Sequence, residues 1–175
     1  MKFAKYLLLS VSVSMSCAVA TFGQAAANQP YNAVEVAKFT VRQGIEFSDK
    51  DVTELTNATL SNFRNSKRFA SVLLAGESSA PVEGRRVRVS GEVIKYVKGS
   101  QAKRYLIGMG AGKTKIIVDV KLTDASTGEV VLQQTVDGDV TWGVFGGDSD
   151  KAKGGVADEI IREMKKRGLA GDKRN

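Results

Sequence analysis

One glycine-rich stretch of the sequence could in principle hold a phosphate group. Residues 108–114 end in Gly-Lys-Thr, the tripeptide that closes a P-loop. A P-loop also needs a glycine five residues before the glycine of that tripeptide, and this chain has Ile107 at that position. It must also lead into a helix whose N-terminus binds the phosphate, whereas the residues after Thr114 alternate as a strand does. We therefore interpret the stretch as a hairpin tip and expect no nucleotide ligand.

Carboxylates are the other side chains that could do chemistry. The second half of the chain carries Asp119, Asp124, Asp137, Asp139, Asp148 and Asp150. Glycosidase chemistry needs two carboxylates at a fixed separation in a cleft, and none of these acids follows the spacing of an EF-hand calcium loop. We interpret Asp124 as a turn residue, Asp148 as a helix cap and the others as surface acids. A carboxylate- or metal-dependent hydrolase of the periplasm is the alternative, and it would need two or three acids in one pocket.

The composition excludes several classes of enzyme. Histidine is absent from the 175 residues, and Cys17 is the single cysteine. Ser-His-Asp and Cys-His catalysis are therefore excluded, and a chain cut after Cys17 also lacks thiol chemistry and His/Cys metal sites. The net charge of +7 comes from basic residues spread among acidic ones, which predicts a solvated surface and no nucleic-acid partner.

Residues 1–27 have the sequence pattern of a secretory signal peptide. A positive start precedes an uncharged run from Tyr6 to Ala20, and small residues suited to cleavage stand near Ala20 and Ala27. The run is shorter than the roughly 20 residues that a membrane-spanning helix needs. We predict export to the periplasm or cell envelope, with a mature chain that begins between Thr21 and Asn28.

Cys17 leaves a second possibility open for the same segment. In a bacterial lipoprotein signal, the cysteine that follows a small residue becomes the lipidated first residue. Ser16 fits that pattern just before Cys17, but Ser14 and Met15 fit it less well. We expect a protein without lipid, and lipidation at Cys17 is the alternative.

The periodicity of apolar residues predicts the order β-α-β-β-β-β-α. The strands are expected at 34–41, 68–74, 87–96, 115–123 and 129–141, and the helices from Ser48 to about Asn65 and from Asp148 or Ser149 to Gly168. Each helix has a single apolar stripe, so both should pack on one face of the sheet. The expected fold is α+β, a two-layer sandwich with a mixed or mostly antiparallel sheet. Residues 28–33 are expected to form a linker, 34–168 a single domain and 169–175 a disordered tail.

The last hairpin allows a prediction of its register. Residues 124–128 suit a type I turn that is followed by Gly128 in the left-handed region. Val120 should then lie opposite Leu132, and Val118 opposite Gln134.

The stretch from Val87 to Phe145 resembles the bacterial family called domain of unknown function 4410. The resemblance depends on the run 89–93, on the block 104–113 (Arg-Tyr-Leu-Ile-Gly-Met-Gly-Ala-Gly-Lys) and on the Thr-Gly-Glu-Val turn at 127–130. More distantly, the opening strand, helix and strand are similar to curli-secretion lipoproteins and to the N-terminal domain of TolB. The resemblance implies a small exported protein or lipoprotein with a two-layer fold, and it implies no reaction.

Two glycine-rich apolar segments are expected to meet at one end of the sheet. The candidate partner-contact residues are Arg104, Tyr105, Leu106, Ile107, Met109, Trp142 and Phe145. These side chains either cap the core beneath the final helix or form a rim that binds an envelope protein or a membrane surface. The favoured function is a non-enzymatic binding or assembly-accessory module of the cell envelope that uses no cofactor.

Overall fold

The computed structural model describes residues 29–77, 84–98, 114–138 and 149–174. These residues form the predicted α+β fold, with the first predicted strand divided in two. The elements are β1 (Ala33–Val36), β2 (Thr40–Val41), α1 (Asp49–Asn65), β3 (Ser71–Leu74), β4 (Arg86–Val97), β5 (Lys115–Asp124), β6 (Val130–Asp137) and α2 (Ser149–Lys166).

The strands form one mixed sheet in the order β3-β1-β4-β5-β6, and β2 pairs with β4. β1 is parallel to β3 and to β4, whereas β5 is antiparallel to both of its neighbours. Apolar residues alternate along the central strands, and Ile116, Val118, Val120 and Leu122 of β5 are buried as the sequence predicts. Thr114, the last residue of the Gly-Lys-Thr tripeptide, stands directly before β5, so a strand and not a helix follows it, as expected.

The strand predicted at 34–41 is interrupted because Phe39 turns into the core. Its side chain is 2% exposed. Gly91 of β4 leaves the space for it, since a Cβ atom at Gly91 would lie 2.8 Å from the Phe39 ring and from Val118. A strand glycine that admits a neighbouring side chain in this way is required by the packing.

α1 begins with the predicted capping box. The Asp51 N–H donates to the Ser48 hydroxyl at 3.2 Å, and the Ser48 N–H donates to the Asp51 carboxylate at 3.2 Å. The stripe predicted for this helix is buried, with Leu55 and Phe63 both 0% exposed. The cap and the stripe together set where α1 starts and which side of it meets the sheet.

α2 packs against α1 through a close approach at Gly154. The Asn62 amide of α1 donates to the Gly154 carbonyl at 3.0 Å, and a Cβ atom at Gly154 would lie 3.4 Å from that amide nitrogen. The predicted stripe of α2 is buried, and it consists of Ala152, Val156, Ile160 and Met164. Gly168 follows the helix with φ +68°, the left-handed conformation expected of a terminating glycine.

The turn between β5 and β6 forms as predicted around Gly128. Gly128 has φ +76°, and its N–H donates to the Asp124 carbonyl at 2.9 Å. The hairpin closes more tightly than expected, however, because the Asp124 N–H donates to the Glu129 carbonyl at 2.8 Å.

The predicted register of this hairpin is wrong by two residues. Val120 lies opposite Gln134, and Leu132 lies opposite Leu122 rather than Val120; Val118 faces Val136. The tighter turn accounts for part of the shift, and a bulge just before Leu132 accounts for the rest. A shift of two residues keeps the same side chains on the buried face, so the predicted core survives the error.

The two ends of the domain contact each other. Tyr31, in the segment predicted as a linker, is 1% exposed and forms an isolated parallel bridge with Ala170. The Arg174 N–H donates to the Lys67 carbonyl at 2.7 Å. The packed unit therefore includes residues on both sides of the span predicted as a domain.

Candidate interaction surface

The sequence-predicted contact residues lie outside the described residues. Arg104, Tyr105, Leu106, Ile107 and Met109 belong to the span 99–113, Trp142 and Phe145 belong to the span 139–148, and Cys17 lies in the N-terminal segment. The structure does describe the strand ends to which the two spans are joined.

Both spans are joined to the same end of the sheet. Val97 at the end of β4 lies opposite Lys115 at the start of β5. Asp137 at the end of β6 lies opposite Ile117, and the Gly138 N–H donates to the Ile116 carbonyl at 2.8 Å. We call this end, where β4 and β6 finish and β5 begins, the loop end. Whether the seven side chains meet there stays a prediction.

A buried lysine cluster lies beside the loop end and joins the two helices. Lys153 of α2 is 1% exposed, and its ammonium group donates to Asp51 of α1 at 2.9 Å and also to Glu54. The same nitrogen lies 5.9 Å from the centroid of the Phe47 ring, which packs edge-on against Tyr96 at 4.9 Å between centroids. We call these five residues the Lys153 cluster.

The carboxylates of this cluster keep its lysine charged. Burial acts against the ammonium ion, but the hydrogen bonds to Glu54 and Asp51 outweigh burial and raise the pKa of Lys153. The hydrogen bond from Ser48 is the main cause that lowers the pKa of Asp51, although burial opposes it. The cluster is therefore a charged contact between α1 and α2.

The face of the sheet away from the helices carries ion pairs that cross from strand to strand. Arg42 bonds Glu92 at 2.8 Å and Asp119 at 3.2 Å, and the Thr135 hydroxyl donates to Asp119 at 2.6 Å. Two further pairs are Arg88 with Glu35 at 3.2 Å and Lys115 with Asp137 at 2.5 Å. Because exposed pairs contribute at most about 1 kcal/mol each, their main effect is to balance charge across the face.

Asp124 anchors the opposite end of the sheet through a network that the sequence analysis missed. It is 4% exposed and accepts hydrogen bonds from the Tyr31 hydroxyl and from Arg85, both at 2.9 Å. Its other oxygen accepts from the Ser126 N–H at 2.9 Å, as expected of a turn aspartate. The turn was predictable from local sequence, but no local signal indicates Tyr31 and Arg85 as partners, because both are distant in the chain.

This network holds the Asp124 carboxyl group ionised and the Tyr31 hydroxyl group neutral. Burial opposes the carboxylate of Asp124, but the hydrogen bonds from Ser126 and Arg85 outweigh burial and hold its pKa well below the usual range. Burial, followed by the bond to Asp124, raises the pKa of Tyr31 to about 12. Neither group changes its charge near neutral pH.

A shallow groove of about 430 Å³ runs between α1, α2 and the C-terminal residues. It is lined by Asn62, Asn65, Ser66, Arg68, Asp158, Ile161 and Lys173. Several of its polar groups are bonded within the fold: Asn62 donates to Asp158 at 3.1 Å, and Arg68 donates to the Gly171 carbonyl at 2.7 Å.

The described part of the chain contains neither a candidate metal site nor a candidate membrane-spanning helix. No group of three or more acidic side chains there is arranged to hold a metal ion. Among the same residues, no helix combines the length and the apolar character that crossing a bilayer requires.

Comparisons with known proteins identify related sequences and folds. Residues 43–141 match the family described as Domain of unknown function (DUF4410). The fold is similar to PelC from Paraburkholderia phytofirmans, described as a dodecamer, at TM-score 0.52 and 19% identity over 74% of this chain and 86% of that chain. A single-residue variant of PelC gives TM-score 0.52 and 18% identity over 75% and 86% of the two chains.

A more distant likeness is to TolB from Acinetobacter baumannii. Its TM-score is 0.41 and its identity 15%, over 82% of this chain and 30% of that chain. A search of curated proteins gives no significant match.

Proposed function

The chain belongs to the DUF4410 family, and we propose that it acts in the cell envelope as a non-enzymatic binding and assembly module. Its partner is an envelope protein or a membrane surface, and it uses no cofactor, nucleotide or nucleic acid. Export by the signal-like segment at 1–27 is part of this proposal.

The observation that carries the proposal is the common attachment of two spans at the loop end. The span 99–113 joins β4 to β5, and the span 139–148 follows β6. Each span contains large apolar residues, and the span 99–113 also contains Lys103, Arg104 and Lys113. A sheet end joined to two spans that are rich in aromatic, aliphatic and basic residues has the composition of a protein-binding rim. The description of PelC as a dodecamer supports the assembly part of the role.

Among the described residues, the buried ionisable groups fit a structural role, as the proposed binding function requires. Catalytic acids and bases need pKa values near the working pH. In this chain the pKa of Asp124 is lowered and the pKa values of Lys153 and Tyr31 are raised, so each group moves away from neutrality. Asp51 and Glu54 both bind the Lys153 ammonium group and therefore do not form an open pair of carboxylates.

Trp142→Ala tests this function. We expect the variant to keep its thermal unfolding temperature and to lose capture of its partner from envelope extracts, because a rim tryptophan supplies contact area without supporting the core. The matched control is Leu73→Ala, an aliphatic truncation on β3 at the opposite end, which should keep capture. A Trp142→Ala protein that unfolds at a markedly lower temperature would show that Trp142 belongs to the core and that the proposed rim is wrong.

A further inference from the structure

The two edges of the sheet differ in whether neighbouring side chains bond their outward backbone groups. β3 forms one edge and is four residues long. The Arg64 guanidinium donates to the Val72 carbonyl at 3.1 Å, and the Leu74 N–H donates to the Glu77 carboxylate at 3.0 Å. These side chains occupy two of the backbone groups that β3 would offer to another strand. Natural proteins close sheet edges in this way to prevent pairing with other chains.

β6 forms the other edge and has no such closure in the described residues. It is eight residues long, and the run from Val130 to Val136 contains no charge and no proline. The Gly138 N–H bonds the Ile116 carbonyl, so the alternation of an antiparallel ladder directs the backbone of Leu132, Gln134 and Val136 toward β5. The N–H and C=O groups of Gln133, Thr135 and Asp137 then point away from the sheet.

The outward edge of β6 is complementary to itself. Two antiparallel copies related by a two-fold axis at Gln134 would exchange backbone hydrogen bonds between Gln133 of one copy and Thr135 of the other. The two Gln134 side chains would face each other, and Leu132 of one copy would face Val136 of the other. The row of buried apolar side chains on β6 would therefore continue from one copy to the next. Within β6 (Val130–Asp137), no charged side chain would lie opposite a like charge in this register.

We propose that the protein forms a two-fold dimer in which β6 pairs with β6 of a second copy to make one continuous sheet. The occupant of the edge is a second copy because, among the described strands, β3 is closed by Arg64 and Glu77 and β2 is only two residues long, so the edge that matches β6 is β6 itself. The proposal rests on the assembly part of the proposed function, and it uses a surface distinct from the loop end.

Gln133→Pro is the first test. The Gln133 N–H points outward, so proline there removes a hydrogen bond to the second copy while the ladder to β5 is kept. The full exported chain should behave as a dimer in light scattering, and Gln133→Pro should raise its dissociation constant about tenfold or more. Gln133→Ala is the matched control, and it should stay dimeric because it keeps the N–H. Equal dissociation constants for the two variants would overturn the proposal.

Charge pairing at the axis gives a second test that does not depend on proline. Gln134→Lys and Gln134→Glu should each be monomeric because like charges face each other, and an equimolar mixture should recover the dimer. Amide hydrogen exchange at Gln133 and Thr135 should slow as protein concentration rises. A wild-type monomer at all soluble concentrations, or a dimer whose Gln133 and Thr135 amides exchange freely, would refute the β6 junction. Partner capture through Trp142 is measured separately, so a failed dimer and a failed rim give different results.

Discussion

Asp124 shows how a residue that is ordinary in sequence becomes a structural centre in the fold. Its turn bonds are local, but Tyr31 approaches it from the first segment of the domain and Arg85 from the start of β4. Arg85 also lies over the Tyr31 ring at 4.2 Å from the centroid. A single buried carboxylate therefore ties the turn to both the first strand and the fourth.

The lowered pKa of Asp124 predicts a loss of stability in acid. Because the folded-state pKa lies below the ordinary value of 3.8, the unfolded chain binds the proton first as pH falls. The contribution of Asp124 is therefore complete above about pH 4 and disappears as pH falls through its folded-state pKa. Asp124→Asn should be less stable than the wild type at neutral pH, and the difference should narrow in acid.

Urea unfolding at a series of pH values measures this difference. Asp172→Asn is the matched control, because Asp172 is an exposed acid near the C-terminus. Its stability should follow that of the wild type over the whole range. A gap between wild type and Asp124→Asn that stays constant with pH would contradict the network described above.

At the scale of elements, the two helices are joined by charge as well as by apolar packing. Lys153 reaches from α2 to two carboxylates of α1, while Asn62 and Gly154 bring the helix backbones close. A lysine at a buried position of an amphipathic helix is uncommon, because the charge must be compensated. Here the first turns of α1 supply that compensation.

Lys153→Ala should lower the free energy of unfolding by about 2 kcal/mol. The truncation leaves a void at a buried site and removes the cation that faces Asp51 and Glu54. Lys50→Ala is the matched control: its ammonium group lies 3.8 Å from the same Glu54, but the side chain is 85% exposed. Lys50→Ala should lower the free energy of unfolding by less than about 0.5 kcal/mol. If chemical denaturation gives the two variants the same loss of unfolding free energy, the burial of Lys153 does not contribute to stability.

At the scale of the whole molecule, the N-terminal segment is the basis for predicting where the protein resides. The described domain begins next to the segment predicted as a signal peptide, since Tyr31 already packs in the core. Cleavage between Thr21 and Asn28 would therefore leave only a short stretch before the folded domain.

We expect the mature chain to start within that interval and to carry no lipid. Small residues near Ala20 and Ala27 suit a signal peptidase, whereas Ser14 and Met15 fit a lipoprotein signal less well. Intact mass and N-terminal sequencing of the exported protein decide the point, and Cys17→Ala should be processed like the wild type. A diacylated Cys17 as the first residue would contradict this prediction.

Local sequence was sufficient for the order of the elements and for the face that each helix and β5 bury, although not for the break between β1 and β2. The Ser48 cap, the stripes of both helices, the alternation of β5 and the left-handed Gly128 all depend on residues a few positions apart, so periodicity and turn chemistry predict them. The same local patterns do not indicate which strand lies next to which. The predicted register of β6 was wrong because neither the tighter turn nor the bulge at the start of the strand is visible in the alternation.

The sequence by itself determined the fold class, the family resemblance and the classes of catalysis that the absence of histidine excludes. Only the tertiary structure decided the parallel pairing of β1 between β3 and β4, the entry of Phe39 over Gly91, and the partners of Asp124 and Lys153. Among the described residues, it also distinguished the edge at β3, which side chains close, from the edge at β6, which they do not. The physical reason is that local backbone preferences act over a few residues, whereas buried charges and sheet edges are satisfied by groups brought together only when the whole chain packs.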